Sequence, residues 1–280
     1  MFNTSKSDHQ EICPVLEQVS KLREKGEYAK AETLLLHHLE HTDFDQEEHV
    51  QILMQLQFIQ GKGSVDFLNS YGLRFPNNFS LQRDLVGMFL ELGELEKAQE
   101  KMAQNFEVFG ESAELWTDYG VIFRHLGDRN KAEIYFQRAI SMNPKYSNSW
   151  FNWGNLYMDE GRYAQAEQMY IRAIRIDEKS LETWIQLIYS VIAREEFVIG
   201  LRLVSSAKRR VGEIPILFYL QSLILFHQKK IKESKWSIHL ALQNGNEPIF
   251  WELLICLLKE ENLDTTEAES FLRESKLHRK

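Results

Sequence analysis

The sequence predicts an all-α solenoid of stacked antiparallel helix pairs, and three observations carry that prediction. Trp116, Trp150 and Trp184 recur at a fixed period of 34 residues. Behind the first two, the same residues return in the same order. Tyr119-Gly120, Phe123, Gly127, Ala132, Phe136, Ala139 and Pro144 follow Trp116. Trp153-Gly154, Tyr157, Gly161, Ala166, Tyr170 and Ala173 follow Trp150, with Glu178 in the proline's place. Within each unit the apolar positions fall three and four apart, which is the spacing of one helix face. A period of roughly 20–50 residues marks an array of helix pairs rather than one closed core.

Each element follows from those spacings. Trp150, Trp153, Gly154 and Tyr157 form one face of a first helix. Ala166, Tyr170 and Ala173 form the matching face of a second. Gly161 ends the first helix, because glycine adopts the positive φ of a sharp reversal at low cost. Glycine and alanine at the contact positions let the two backbones approach closely, and the aromatic rings fill the space between pairs. One pair cannot bury such a face alone, so the pairs must stack.

These residues resemble the tetratricopeptide repeat family, whose pattern is W-x2-L-G-x2-Y followed by A-x3-F and a proline. The resemblance implies a right-handed superhelical solenoid of roughly fourteen to sixteen helices. The match is closest over 113–146 and 147–180 and weakens in both directions. Residues 79–112 keep Leu85, Phe89, Gly93, Ala98 and Met102, but place Gln82 and Val86 where tryptophan and glycine belong. Residues 45–78 retain mainly Leu68 and Pro76, and Gly26-x-Tyr28-x-x-Ala31 with Leu35 reads as the turn and second helix of an earlier unit. Downstream, 181–214 keeps Trp184, Leu187, Val191 and Ala207 but departs at Ile188 and Gly200. Phe218, Ile238 and Ala241 mark another unit, and Trp251, Leu254, Ile255 and Leu258 a terminal helix pair or cap. The expected organisation is a tail over 1–11 and one solenoid of about seven to eight pairs over 12–280, degenerate over 181–280.

Composition narrows the function classes. The chain has 280 residues, 44% hydrophobic and 26% charged, an ordinary globular balance. No apolar run approaches the roughly 18 residues of a membrane span, and the N-terminus shows no secretory pattern. Cys13 and Cys256 stand far apart in no metal-ligand spacing, so a reduced, cytoplasmic setting is expected. Of the net charge of −8, the first 180 residues carry −9, which disfavours phosphate backbones there.

A search for catalytic chemistry finds no nucleophile–base set and no phosphate loop. Gly61-Lys62-Gly63-Ser64 lacks the spacing and strand of such a loop and reads as a turn. His37 and His41 are a helical turn apart, followed by Asp43, Asp45 and His49, but with His38 they read as cap and surface groups. The chain is therefore expected to be no enzyme and to need neither cofactor nor metal. Lys208-Arg209-Arg210 reads as the cationic end of a helix, with Lys229, Lys230, Lys232 and Lys235 on a solvated turn and face.

A second stripe lies one residue beyond the packing stripe on each first helix. It reads Phe151, Asn155 and Met158, then Ile185, Tyr189 and Ile192, then Tyr219, Leu223 and Phe226. The family resemblance implies that these places face the concave inner groove, here apolar and aromatic. Such a groove suits an amphipathic helix or extended segment of a protein partner. The alternative for the stripe is self-burial, by tight curvature or by the chain's own last helix. Two specialised grooves of the family do not match. Glu182 and Gln186 stand where a carboxylate clamp needs basic residues, and Asn152 alone represents an asparagine ladder. The expected function is a protein-binding adaptor or scaffold. A helical-repeat RNA binder and a regulatory module of a separate enzyme are the alternatives, the first disfavoured by the acidic balance and the apolar groove.

Overall fold

The computed structural model describes residues 27–41 and 76–277, together with 15, 18, 19, 21, 22, 72 and 73. Cys13, Asp43, Asp45, His49, Gly61-Lys62-Gly63-Ser64, Leu68 and the tail over 1–11 lie outside them. Every regular element among the described residues is a helix, and the thirteen divide between two compact units, 1–111 and 112–280.

In the first unit α1 spans Tyr28–His41, α2 Phe79–Glu91 and α3 Leu95–Phe109. On α1, Ala31 and Leu35 are fully buried, as the weak sequence match requires. Helices α2 and α3 pair through Leu85, Val86 and Phe89 against Ala98 and Met102, all buried. Two polar side chains close the seam: Asn105 donates to the Gln82 carbonyl at 3.0 Å and Gln82 to that of Gly72 at 2.9 Å. Unpaired, those buried amides would cost more than the bonds contribute.

The second unit holds five hairpins. They are α4 (Ala113–His125) with α5 (Arg129–Met142), α6 (Ser147–Asp159) with α7 (Tyr163–Ile176), and α8 (Leu181–Ala193) with α9 (Phe197–Val211). α10 (Pro215–His227) with α11 (Ile231–Asn244) and α12 (Pro248–Glu260) with α13 (Thr266–Leu277) complete the set. Every helix packs on the next, and the first helices α4, α6, α8, α10 and α12 also touch one another in series. First helices close enough to touch must line the inner side of the curve.

Each hairpin reverses through the same device. Gly127 and Gly161 take φ of +76° and +69°, and the next N–H, of Asp128 or Arg162, bonds back to the carbonyl of Phe123 or Tyr157 at 3.0 and 2.8 Å. Glu195, Lys229 and Asn262 hold the equivalent places with φ of 60°, 61° and 56°. The turn thus survives loss of its glycine, at a conformational cost. Between hairpins, the Trp150 indole donates to the Pro144 carbonyl at 3.0 Å and Trp184 to that of Glu178 at 2.9 Å. Glu178 serves in the proline's place because the tryptophan needs only a backbone oxygen, and its carboxylate pairs with Arg210 at 2.6 Å.

Candidate functional site

The helix seam sets how far each first helix can lean toward the groove. A Cβ on Gly120 would lie 2.5 Å from the Phe136 ring, and one on Gly154 2.5 Å from the Tyr170 ring. In α8 the glycine becomes Ile188, fully buried in the same cluster as Val204, which stands where the others have the aromatic ring. Bulk has moved across the seam with little change in its sum. In the next hairpin Ser222 and Ser234 exchange hydroxyl-to-carbonyl bonds at 2.8 Å each. Small polar residues there keep the two helices close, and each of these two hydroxyls is satisfied by the facing carbonyl.

On this scaffold the nine stripe residues fall in three consecutive rows on α6, α8 and α10, and all are half-buried. Phe151, Met158, Ile185, Tyr189, Ile192 and Tyr219 pack against the central core, and Tyr219, Leu223 and Phe226 against the C-terminal one. Asn155 accepts the Tyr170 hydroxyl at 2.7 Å. Its amide oxygen is thereby committed to its own hairpin. Tyr189 and Tyr219 are hydrogen-bonded to each other, and burial, with that bond and the nearby Tyr219, pushes the Tyr189 phenol up to about 12. Burial also raises Tyr219, with a further push from the Glu252 carboxylate.

The rows extend further than sequence reading carried them. Helix α12 begins with Pro248 as α10 begins with Pro215, a spacing of 33 rather than 34. Glu252, Cys256 and Lys259 therefore occupy the positions of Tyr219, Leu223 and Phe226. Cys256 is an exposed free thiol, and Glu252 pairs with Lys276 at 2.8 Å. The proline spacing was the signal that locates this row. At the opposite end Thr117, Val121 and Arg124 hold the row on α4. The Thr117 hydroxyl meets that of Ser149 at 2.6 Å, and Arg124 pairs with Asp159 at 3.1 Å. Polar contacts at both ends thus bracket an apolar middle.

The outer packing stripe has a different chemistry. Trp116 stacks on Tyr135 at 5.4 Å under the Arg138 guanidinium, 4.1 Å from its ring. Arg172 lies 4.8 Å from the Trp150 ring and Arg162 4.2 Å from that of Tyr157. The Tyr157 hydroxyl donates to Glu133 at 2.9 Å, and burial with that bond raises the phenol to about 12. Lys208 belongs to the same scheme, 3.5 Å from the Phe218 ring. It is thus a packing residue as well as part of a helix-end cationic run. Among the described residues no helix is long and apolar enough to cross a membrane, and no three His, Cys, Asp or Glu gather as metal ligands.

Comparison with known proteins agrees with this geometry. The tetratricopeptide repeat matches at 113–146 and again at 147–180. No curated protein matches the sequence. Among solved structures, a tetratricopeptide repeat protein from Parabacteroides merdae ATCC 43184 is similar at 18% identity and a TM-score of 0.55. That likeness covers 87% of this chain and 97% of the other. Pseudomonas aeruginosa pilF is similar at 17% identity and 0.55, over 71% and 89%. The APC/C hetero-tetramer Cut9-Hcn1 is similar at 17% identity and 0.59, and the match spans 90% of this chain but half of that one. Identities this low speak for the fold alone. The two repeat matches make residues 113–180 tetratricopeptide repeats, and the hairpins stacked around them share that fold.

Proposed function

We propose that the protein is a non-catalytic adaptor that holds an amphipathic helix or extended segment of a partner protein in the groove of its second unit. The observation that carries this reading is the run of half-buried apolar side chains along α6, α8 and α10. Each shows part of its surface to solvent where hairpin packing asks for none. Aromatic side chains such as Tyr189 and Tyr219 offer a large rigid contact area at low entropic cost, the usual anchors of an interface. The polar ends at Arg124–Asp159 and Glu252–Lys276 would fix where a bound segment starts and stops. The exposed free thiol of Cys256 suits a reducing, cytoplasmic setting.

The test is partner capture by the full chain against Tyr189→Ala with Tyr219→Ala, with stability followed by circular dichroism. Capture of the same chains at the same strength by the folded double variant sinks the reading. Since both rings pack on the core, Met158→Lys and Ile192→Lys give a second arm. Their long stems cover apolar surface while the charge reaches water, so the fold is kept while the groove turns cationic.

A further inference from the structure

The outer stripe repeats its stacked aromatic pair at the far end of the second unit, with one member changed. Trp251 stacks on Phe271 at 4.9 Å and 19°, as Trp116 stacks on Tyr135 at 5.4 Å and 16°. The second helices share a register: Ala132, Tyr135 and Arg138 on α5 correspond to Ala268, Phe271 and Glu274 on α13. Ala132 and Ala268 are both buried at the seam, which fixes the alignment. In both well-matched repeats the residue six places after that alanine is an arginine lying over the hairpin's tryptophan. In the last hairpin it is the exposed carboxylate Glu274, and among the described residues no cation lies over Trp251.

Beside this stacked pair a cleft is open. It measures about 530 Å3 between α11, α12 and α13, with Trp251, Leu254, Leu258 and Phe271 on its floor and walls. Its lip carries Asp264 and Glu267. The Thr266 hydroxyl and backbone N–H both donate to Asp264 and hold its carboxyl below the usual range, so the lip is anionic at neutral pH. Phe271 is 40% exposed, a large aromatic left at the edge. An aromatic floor under an acidic lip attracts a cation through both the ring quadrupole and the carboxylates.

We propose that this cleft receives an arginine side chain of a partner polypeptide, its guanidinium against Trp251 and the Asp264–Glu267 lip and its stem on Leu254 and Leu258. Arginine is favoured over lysine because the protein covers both matching tryptophans with a guanidinium, whose plane stacks on a ring as an ammonium cannot. The site belongs to the outer stripe and does not depend on the groove of α6, α8 and α10.

The experiment titrates the full chain with the capped tetrapeptide Leu-Arg-Ala-Leu and with its isosteric, uncharged citrulline counterpart. Binding is read at the Trp251 indole resonance, assigned through Trp251→Phe. The arginine peptide is expected to move that resonance saturably and to bind about tenfold more tightly than the citrulline one, within the range of a cation–π contact. Glu274→Arg should supply the missing internal cation and weaken binding by about tenfold, and Glu267→Lys should weaken it several-fold. Both residues are exposed, so the fold is kept. Equal binding of the two peptides would reduce the cleft to an apolar slot and overturn the proposal. So would a Trp251 resonance that neither peptide moves at millimolar concentration, or unchanged affinity in Glu274→Arg.

Discussion

Residues 113–180 and 181–277 share one backbone plan and invest their aromatic side chains on opposite faces. In the first stretch the rings of Trp116, Tyr119, Phe123, Trp150, Trp153 and Tyr157 line the outer packing stripe, with Lys131, Arg138, Arg162 and Arg172 over four of them. The inner face there is mixed, with Thr117, Arg124 and Asn155 among its members. In the second stretch the outer stripe turns largely aliphatic, and the inner face gains Ile185, Tyr189, Ile192, Tyr219, Leu223 and Phe226. Of these two stretches, the one with the sharper repeat pattern has the less apolar inner face. Motif strength reports how two helices meet. It says little about the face that meets a partner.

The largest expected effects test the seam. Ile188→Gly removes a fully buried side chain facing Val204, and should cost about 4 kcal/mol from cavity and helix propensity together. Adding Val204→Phe rebuilds the glycine–aromatic pair of the neighbouring hairpins and should restore a good part of that loss. A double variant no more stable in urea than Ile188→Gly alone would mean that the two seams are not interchangeable. The converse change is Gly154→Leu, whose Cβ begins 2.5 Å from the Tyr170 ring. It should cost about 3 kcal/mol, and Ala166→Trp, at a fully buried position, at least as much. An unchanged denaturation midpoint in both would show the seam to be plastic.

These seams also show how much the sequence alone discloses. Gly120 and Gly154 are legible one at a time, because the ring packed on each leaves no room for a side chain, and Ala132 and Ala166 are legible as small residues at buried seam positions. Ile188 reads as a departure until Val204 is set beside it, since the compensation is pairwise and crosses the turn. The cluster Glu252, Cys256 and Lys259 escapes a strict 34-residue count because one residue is lost between α11 and α12. The stripe of Tyr189 and Tyr219 is legible as a face. Its half-burial is not, because that depends on first helices touching across successive hairpins, a curvature no single repeat encodes.

Alkaline titration separates the two faces by a smaller effect. The Tyr157 phenol on the outer stripe and the Tyr189 phenol in the groove are both raised to about 12, chiefly by burial. An unfolded tyrosine ionises near 10, so above that pH the unfolded chain releases protons the folded chain still holds. The stability these groups contribute is thus whole below pH 10 and lost as pH rises toward 12. Tyr157→Phe and Tyr189→Phe should each shallow the fall of the urea midpoint between pH 10 and 12. Curves that superpose on the parent would show that neither phenol holds its proton more tightly in the folded protein.

The smallest expected effect concerns the hairpin turns and runs toward stability. Gly127 and Gly161 hold positive φ in the well-matched repeats, whereas Glu195 holds φ of 60° in the third hairpin with a side chain attached. That conformation costs an ordinary residue about 1 kcal/mol or more, and glycine escapes it. Glycine also widens the unfolded ensemble, which offsets part of the gain. Glu195→Gly should therefore stabilise the protein by about 0.5–1 kcal/mol. Glu195 suits the test because it is exposed and the neighbouring pairs, Arg194 with Glu167 and with Glu196, do not include it. Lys229→Gly should gain less, since Lys229 also lies 3.9 Å from Glu260 and 5.7 Å from the Phe226 ring. A Glu195→Gly variant less stable than the parent in urea would mean that the degenerate hairpins depend on a stiff turn where the well-matched ones use a free one.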